Sequence, residues 1–224
     1  PETDAFFLMS VDGRQHLEQL EALAAFGKPV FIDKPLACSA KDARAIAALA
    51  RAKGLRIAST SSIPLAGGIA DLIPQGASVH GAEAFGPMAL LEDYPSYFWY
   101  GVHSVQALYH IMGTGCSQVR TCHTQSQDVI AGIWKDGRMG TIRGCRFDGV
   151  AFGATAFTSA GVRHALAAQE PPGDAPREQR VACGEPVEFP CRLLWQCQSR
   201  PHGDRITGII HRPDLHVYAP RRHH

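Results

Sequence analysis

The chain has 224 residues, 45% hydrophobic and 19% charged, and its 22 basic and 21 acidic side chains leave a formal net charge of +1. That length suits one large domain or two small ones and is enough to bury a core, while the balanced charge offers no footprint for nucleic acid or an anionic membrane. No apolar run approaches the roughly 20 residues of a membrane span, and the opening Pro1-Glu2-Thr3-Asp4 has no basic signal-peptide region, so the chain reads as cytoplasmic with a cut N-terminus.

Ala5–Met9 is a short apolar run between Asp4 and Ser10 and reads as a buried strand. Leu17, Leu20, Leu23 and Ala24 then recur at helical spacing, with Gly27 closing the helix. Pro29–Ile32 is a second strand. Ser39-Ala40-Lys41-Asp42 has the form of a capping box with Asp in place of the usual Glu or Gln. Ala43, Ile46, Ala47, Leu49 and Ala50 give the next helix its apolar face, which Gly54 ends. Leu55–Ala58 is a third strand. Strand, helix, strand, helix, strand, joined by loops of a few residues, predicts a parallel α/β sheet.

The pattern changes near residue 62, where Ser-Ser-Ile-Pro and Ala66-Gly67-Gly68 punctuate the chain. A helix is predicted over His103–Met112, closed by Gly113-Thr114-Gly115, with strands over Val79–Phe85, Val119–His123, Asp128–Trp134, Met139–Phe147 and Ala151–Phe157. Lys135-Asp136-Gly137-Arg138 joins two of these as a hairpin, with Asp-Gly favouring a type I′ turn. An antiparallel meander behind one helix is the reading. From about Ala165 the text loses any period: Glu170–Arg177 is linker-like, and the remainder reads either as a disordered tail or as a shifted reading frame. The seven cysteines, at 38, 116, 122, 145, 183, 191 and 197, are odd in number and form no C-x-x-C pair. They predict free thiols in a reducing compartment rather than a disulfide framework or zinc site, and no metal is expected.

Two segments could carry chemistry. Gly27-Lys28-Pro29-Val30-Phe31-Ile32-Asp33-Lys34-Pro35-Leu36 is a strand ending in an acid, a lysine and a proline. Ligands of open α/β sheets bind beyond the carboxyl ends of strands, so Lys34 emerges either where its ammonium can hold a substrate hydroxyl or as an exposed loop lysine. Tyr97-Phe98-Trp99-Tyr100-Gly101-Val102-His103 is an aromatic cluster running into a histidine at a helix start. It reads either as a sugar-stacking surface beside a proton-exchanging imidazole or as a packed loop with a structural histidine.

The first segment closely resembles the G-K-x-V-x-x-[ED]-K-P lysine motif of the Gfo/Idh/MocA oxidoreductases, with Asp33 for the usual Glu. Ser10-Val11-Asp12-Gly13 followed by His16 is similar to that family's Thr-Pro-Asn segment and its downstream histidine. In the second segment Gly101 and His103 match the family's Asp-x-Gly-x-His-x-x-Asp, but Trp99 replaces the first Asp and Gln106 the second. Asp93 and Tyr100 are the nearby groups that could compensate. Gly86-Pro87-Met88 is similar to the family's junction into its substrate domain.

The resemblance spans roughly residues 4–160 and implies an α/β fold: a partial Rossmann-type parallel sheet, then an α+β domain with a mainly antiparallel sheet. Residues 1–62 would be the C-terminal part of a dinucleotide-binding domain, 63–165 a substrate and oligomerisation domain, and 166–224 an atypical tail. It implies NAD or NADP as cofactor, held by Ser10, His16, Asp33, Lys34 and Pro35. A sugar or polyol would stack on Trp99 and Tyr100, with Lys34 and His103 catalytic at one cleft and the sheet pairing copies of the chain as a homo-oligomer. No G-x-G-x-x-G phosphate loop occurs in the 224 residues, so the resemblance implies an N-terminal truncation and a parallel sheet with an unpaired edge. The second reading is a non-catalytic ligand-binding or oligomerising module, or an inactive fragment.

Overall fold

A computed structural model describes residues 3–167 and the backbone of two strands at 209–212 and 215–218. The described residues fall into two compact units, one running to Thr60 and including the two late strands, the other beginning at Ser61.

In the first unit, β1 (Phe6–Leu8), α1 (His16–Ala24), β2 (Val30–Ile32), α2 (Ala40–Lys53) and β3 (Ile57–Ala58) follow one another as the apolar periods dictate. The three strands pair in parallel, with Phe6 opposite Val30 and Phe31 opposite Ala58. Phe6, Leu8, Val30 and Ile32 bury one face of this sheet with Leu20 and Leu23 of α1 and Ile46 and Ala50 of α2. Each fully buried Leu, Ile or Phe in that cluster contributes about 1.5–3 kcal/mol. Ser39 caps α2 by accepting from the Asp42 N–H at 3.0 Å. The reciprocal half of the expected box differs: Asp42 accepts from the Ser39 hydroxyl at 2.8 Å, its side chain being one methylene short of the usual Glu. Gly54 ends the helix at φ +62°, its N–H on the carbonyls of Ala50 and Arg51.

The outer edge of β1 is not unpaired, contrary to expectation. β11 (Leu215–Tyr218) lies antiparallel to it, Phe7 opposite Tyr218 and Leu8 opposite Val217, and β10 (Ile209–Arg212) pairs β11 as a hairpin. An edge strand offers its free N–H and C=O groups to any extended segment, so a four-residue run without a visible period suffices. The linker-like stretch at 170–177 and the rest of the tail lie outside the described residues.

The second unit is a six-stranded sheet with α3 (Gly101–Met112) across one face. Its strands are β4 (Val79–Pro87), β5 (Cys116–His123), β6 (Gln127–Trp134), β7 (Met139–Cys145), β8 (Gly153–Thr158) and β9 (Gly161–Leu166), in the order β5-β6-β7-β4-β8-β9. All neighbours are antiparallel except β4 and β7, so the sheet is mainly antiparallel but not a simple meander: β4 enters at its centre. Small residues allow this, because Ala82, Ala84, Ala154 and Ala156 line the face on which Ala107, Leu108, Ile111 and Met112 of α3 pack. β9, an exposed edge strand, has no counterpart in the sequence reading.

The β6–β7 hairpin forms as expected, but its turn is not type I′. Only Gly137 has positive φ (+86°), and its N–H bonds the Trp134 carbonyl at 3.0 Å, as in a type I turn followed by a left-handed glycine. Asp136 stays at negative φ and accepts from the Arg138 N–H through its side chain at 3.1 Å. No helix among the described residues is long and apolar enough to cross a membrane.

Candidate functional site

In the first unit the loops after β1 and β2 meet beyond the carboxyl ends of these parallel strands. The ladder runs one residue past β2, with the Asp33 N–H donating to the Leu8 carbonyl at 2.9 Å. Lys34 follows, half-buried, and is joined to Pro35 by a cis peptide bond. Burial holds the Lys34 ammonium below the ordinary lysine range, and the neighbouring Asp33 carboxylate opposes that shift. Pro35 is buried against Gly13, where an added Cβ would stand 2.7 Å from the proline Cγ and 3.1 Å from the Cys38 Sγ. Gly13 is therefore set by this close approach of loops.

His16 is fully buried at the start of α1, its Nε2 2.9 Å from the Ser10 carbonyl and its Nδ1 3.2 Å from the Leu36 carbonyl. The ring thus ties the loop after β1 to the loop after β2. Ser10 donates its hydroxyl to Gln19 Oε1 at 2.6 Å. Asp12 is gripped by Arg14, with Nη2 to Oδ2 at 2.7 Å, and that hydrogen bond holds its carboxyl below the usual range. Ser10, His16, Asp33, Lys34 and Pro35 therefore share one end of one sheet, His16 as an internal brace and Lys34 as the group with chemistry to offer.

The second unit holds His103, in the first turn of α3. Gly101 opens the helix because a Cβ there would lie 2.8 Å from the Cβ of Tyr97 and 3.1 Å from Met88, so only glycine lets the aromatic loop cross the helix start this closely. The His103 ring packs at 5.2 Å on Phe152 and edge-on at 5.7 Å on Tyr100, while Tyr100 stacks on Phe152 at 6.3 Å. Trp99 extends the cluster, with ring centroids 6.0 Å from Tyr100 and 5.4 Å from Tyr94. Gly86, on central strand β4, is the floor beneath Phe152, and any Cβ there would overlap that ring.

Asp93 is exposed; the group at His103 Nδ1 is instead the hydroxyl of Ser61, at 2.6 Å. Ser61 is 1% exposed, its Oγ accepts from the Ile63 N–H at 3.1 Å, and its own N–H donates to Oε1 of Gln106. Below the aromatic loop, Arg146 clasps the buried Asp128 carboxylate with contacts of 2.7 and 3.1 Å and also donates to the carbonyls of Thr124 and Gln125. Asp128 is held low by this guanidinium, whereas burial and Asp128 push the Tyr97 phenol up.

Ser61 and Phe152 have no individual role in the sequence reading. Ser61 sits in a run of four hydroxyl residues, Ser59 to Ser62, with nothing to single it out. Phe152 reaches His103 only through the pairing of β8 with β4.

Residues 1–61 match the model of Gfo/Idh/MocA, an oxidoreductase family with an NAD-binding Rossmann fold. No curated protein matches the chain. Among solved structures, a probable dehydrogenase from Thermotoga maritima is 19% identical with a TM-score of 0.63, over 80% of this chain and 62% of that one. GenD2 from gentamicin A biosynthesis, solved in complex with NAD, is 17% identical with a TM-score of 0.62, over 80% of this chain and 59% of its own. UDP-N-acetylglucosamine 3-dehydrogenase GnnA from Acidithiobacillus ferrooxidans is 17% identical with a TM-score of 0.59, over 69% and 55%. Such likeness establishes the shared fold, and the chain spans about three fifths of the length of GenD2. The matched segment contains the whole Lys34 loop and the His16 brace.

Proposed function

We propose that the chain belongs to a nicotinamide-dependent dehydrogenase acting between a secondary alcohol and a ketone of a sugar or polyol. The observation that carries this is Lys34, half-buried on a loop at the carboxyl end of a sheet whose sequence matches an NAD-binding family. The donor set on that edge suits the nicotinamide end of the cofactor: the Lys34 ammonium and the Ser10 hydroxyl can hydrogen-bond its polar groups. When bound, nicotinamide supplies the hydride acceptor. Lys34 donates a hydrogen bond to the reacting hydroxyl oxygen and favours the negative charge that builds there as the hydroxyl proton leaves. Depressed basicity suits that task, since a desolvated ammonium gives up more to a hydrogen-bond acceptor. His103 takes the hydroxyl proton, and Trp99 and Tyr100 offer aromatic faces to the sugar ring.

Calorimetric titration with NAD and NADP in both redox forms, on this chain and on Lys34→Ala, checks the reading. The expected result is binding to the chain that weakens at least tenfold in the variant. Absence of binding to either would leave this polypeptide without the parent activity. Sugars and polyols would then be screened by following cofactor reduction.

A homo-oligomer is part of the same reading. Phe157 and Val162, paired across β8 and β9, are 45% and 65% exposed on the face of the second sheet turned away from α3. Sedimentation equilibrium should find more than one copy, and Phe157→Glu should yield monomers. A cytoplasmic location goes with this reading, and among the described residues Cys38, Cys116, Cys122 and Cys145 form no disulfide.

A further inference from the structure

We infer that Ser61 is the positioning residue for His103, taking at Nδ1 the place that a carboxylate partner would fill and leaving Nε2 as the nitrogen that exchanges the substrate proton. Three contacts fix it. Its Oγ is 2.6 Å from His103 Nδ1, the same Oγ accepts from the Ile63 N–H at 3.1 Å, and its backbone N–H donates to Gln106. His103 and Gln106 are three residues apart on α3, neighbours on one helix face, so a single stretch of helix grips both the hydroxyl and the amide of Ser61. At 1% exposure Ser61 is shielded from solvent competition, which leaves the hydroxyl a partner for the imidazole rather than for water.

The chemistry follows from what a hydroxyl offers. Oxygen has two lone pairs and one proton to give. With one lone pair committed to the Ile63 N–H, the hydroxyl either accepts Nδ1–H on its second lone pair or gives its own proton to a bare Nδ1; a base at Nε2 requires the first, which makes the neutral ring the Nδ1–H tautomer and turns the Nε2 lone pair outward. When Nε2 takes the proton from a substrate hydroxyl, the Nδ1–H···Oγ bond is unchanged, so no second proton moves. A carboxylate in that position would fix the same tautomer while also adding a negative charge that favours the imidazolium. Ser61 orients the ring without that charge. Gln106 is then a support for Ser61, which gives a role to a position where an acid was expected.

The catalytic consequence rests on the dehydrogenase reading, whereas the tautomer assignment does not, and the test separates them. Histidine labelled with nitrogen-15 in the full chain, with the His103 resonances assigned by their loss in His103→Gln, is measured at alkaline pH, where the ring is neutral. The Nδ1–H tautomer is expected in the chain and in Ser61→Thr, which retains the hydroxyl. In Ser61→Ala the population should shift toward Nε2–H. An Nε2–H ring in the unmodified chain, readable without any variant, overturns the inference, and so does a tautomer indifferent to Ser61→Ala. With a working substrate, Ser61→Ala should lower kcat about 10- to 100-fold with little change in KM, and Ser61→Thr should restore most of it. An Nδ1–H ring that follows Ser61 in a chain without turnover would support the positioning role and count against the dehydrogenase reading alone.

Discussion

Ser104 follows His103 on α3 but faces the core, at 1% exposure, and its Oγ has no hydrogen-bond partner among the described residues. A buried hydroxyl left unpaired costs about 1–3 kcal/mol, and alanine is also the better helix former. Ser104→Ala is therefore expected to stabilise the second unit by about 1 kcal/mol, read as a higher urea midpoint with unchanged slope. The contrast with Ser61, satisfied at both ends, shows what sequence can and cannot convey at this scale. The place of Lys34 just past β2 is legible because a strand end in an α/β sheet is marked by the apolar run before it. Ser61 is not, because its partner lies 42 residues along the chain and the run Ser59 to Ser62 looks alike from end to end.

Among elements, β4 holds the His103 surroundings together. Its Gly86 lets the Phe152 ring lie flat where a Cβ would overlap it, and Phe152 in turn backs both His103 and Tyr100. Gly86→Ala must push that ring aside, at a cost of about 1–3 kcal/mol. A lower thermal midpoint is the expected outcome, together with a changed His103 ring environment in the proton NMR spectrum. The existence of β4 is legible in its run from Val79, but its place is not. Central position and parallel pairing with β7 are decided by which strands bury α3, a choice made across the whole second unit. The β6–β7 hairpin divides the same way: Asp-Gly announces a turn, while the three-residue loop with one left-handed glycine is settled by how Ile133 and Met139 come into register. The first unit is the better-read half, since its helices and parallel strands follow from contacts close in sequence; the strand that covers β1 comes from the far end of the chain.

For the molecule as a whole, two units with separate cores should unfold in two steps rather than one. Asp128 allows the steps to be told apart. Its folded carboxyl is depressed by Arg146, so its contribution is fully present above the unfolded value of 3.8 and is lost as pH falls through the lower folded value. Asp128→Asn should cost the second unit about 2 kcal/mol near neutrality, where it takes the carboxylate from a partly buried guanidinium, and progressively less in acid, where the native carboxylate is itself being protonated. Calorimetry across that range should show one transition moving and the other standing still. A gap that persisted unchanged into strong acid would mean that the ion pair is not what Asp128 contributes. Trp134 is buried in this same unit with its indole N–H on the Gly113 carbonyl at 3.0 Å, and Trp99 lies in the aromatic loop, whereas residues 1–60 contain no tryptophan at all. The third tryptophan of the sequence is Trp195, so in a Trp195→Phe chain indole emission comes from Trp99 and Trp134 alone. It is then a colour label painted on one half of the protein, dimming or shifting with the histidine-bearing unit while the lysine-bearing sheet stays dark.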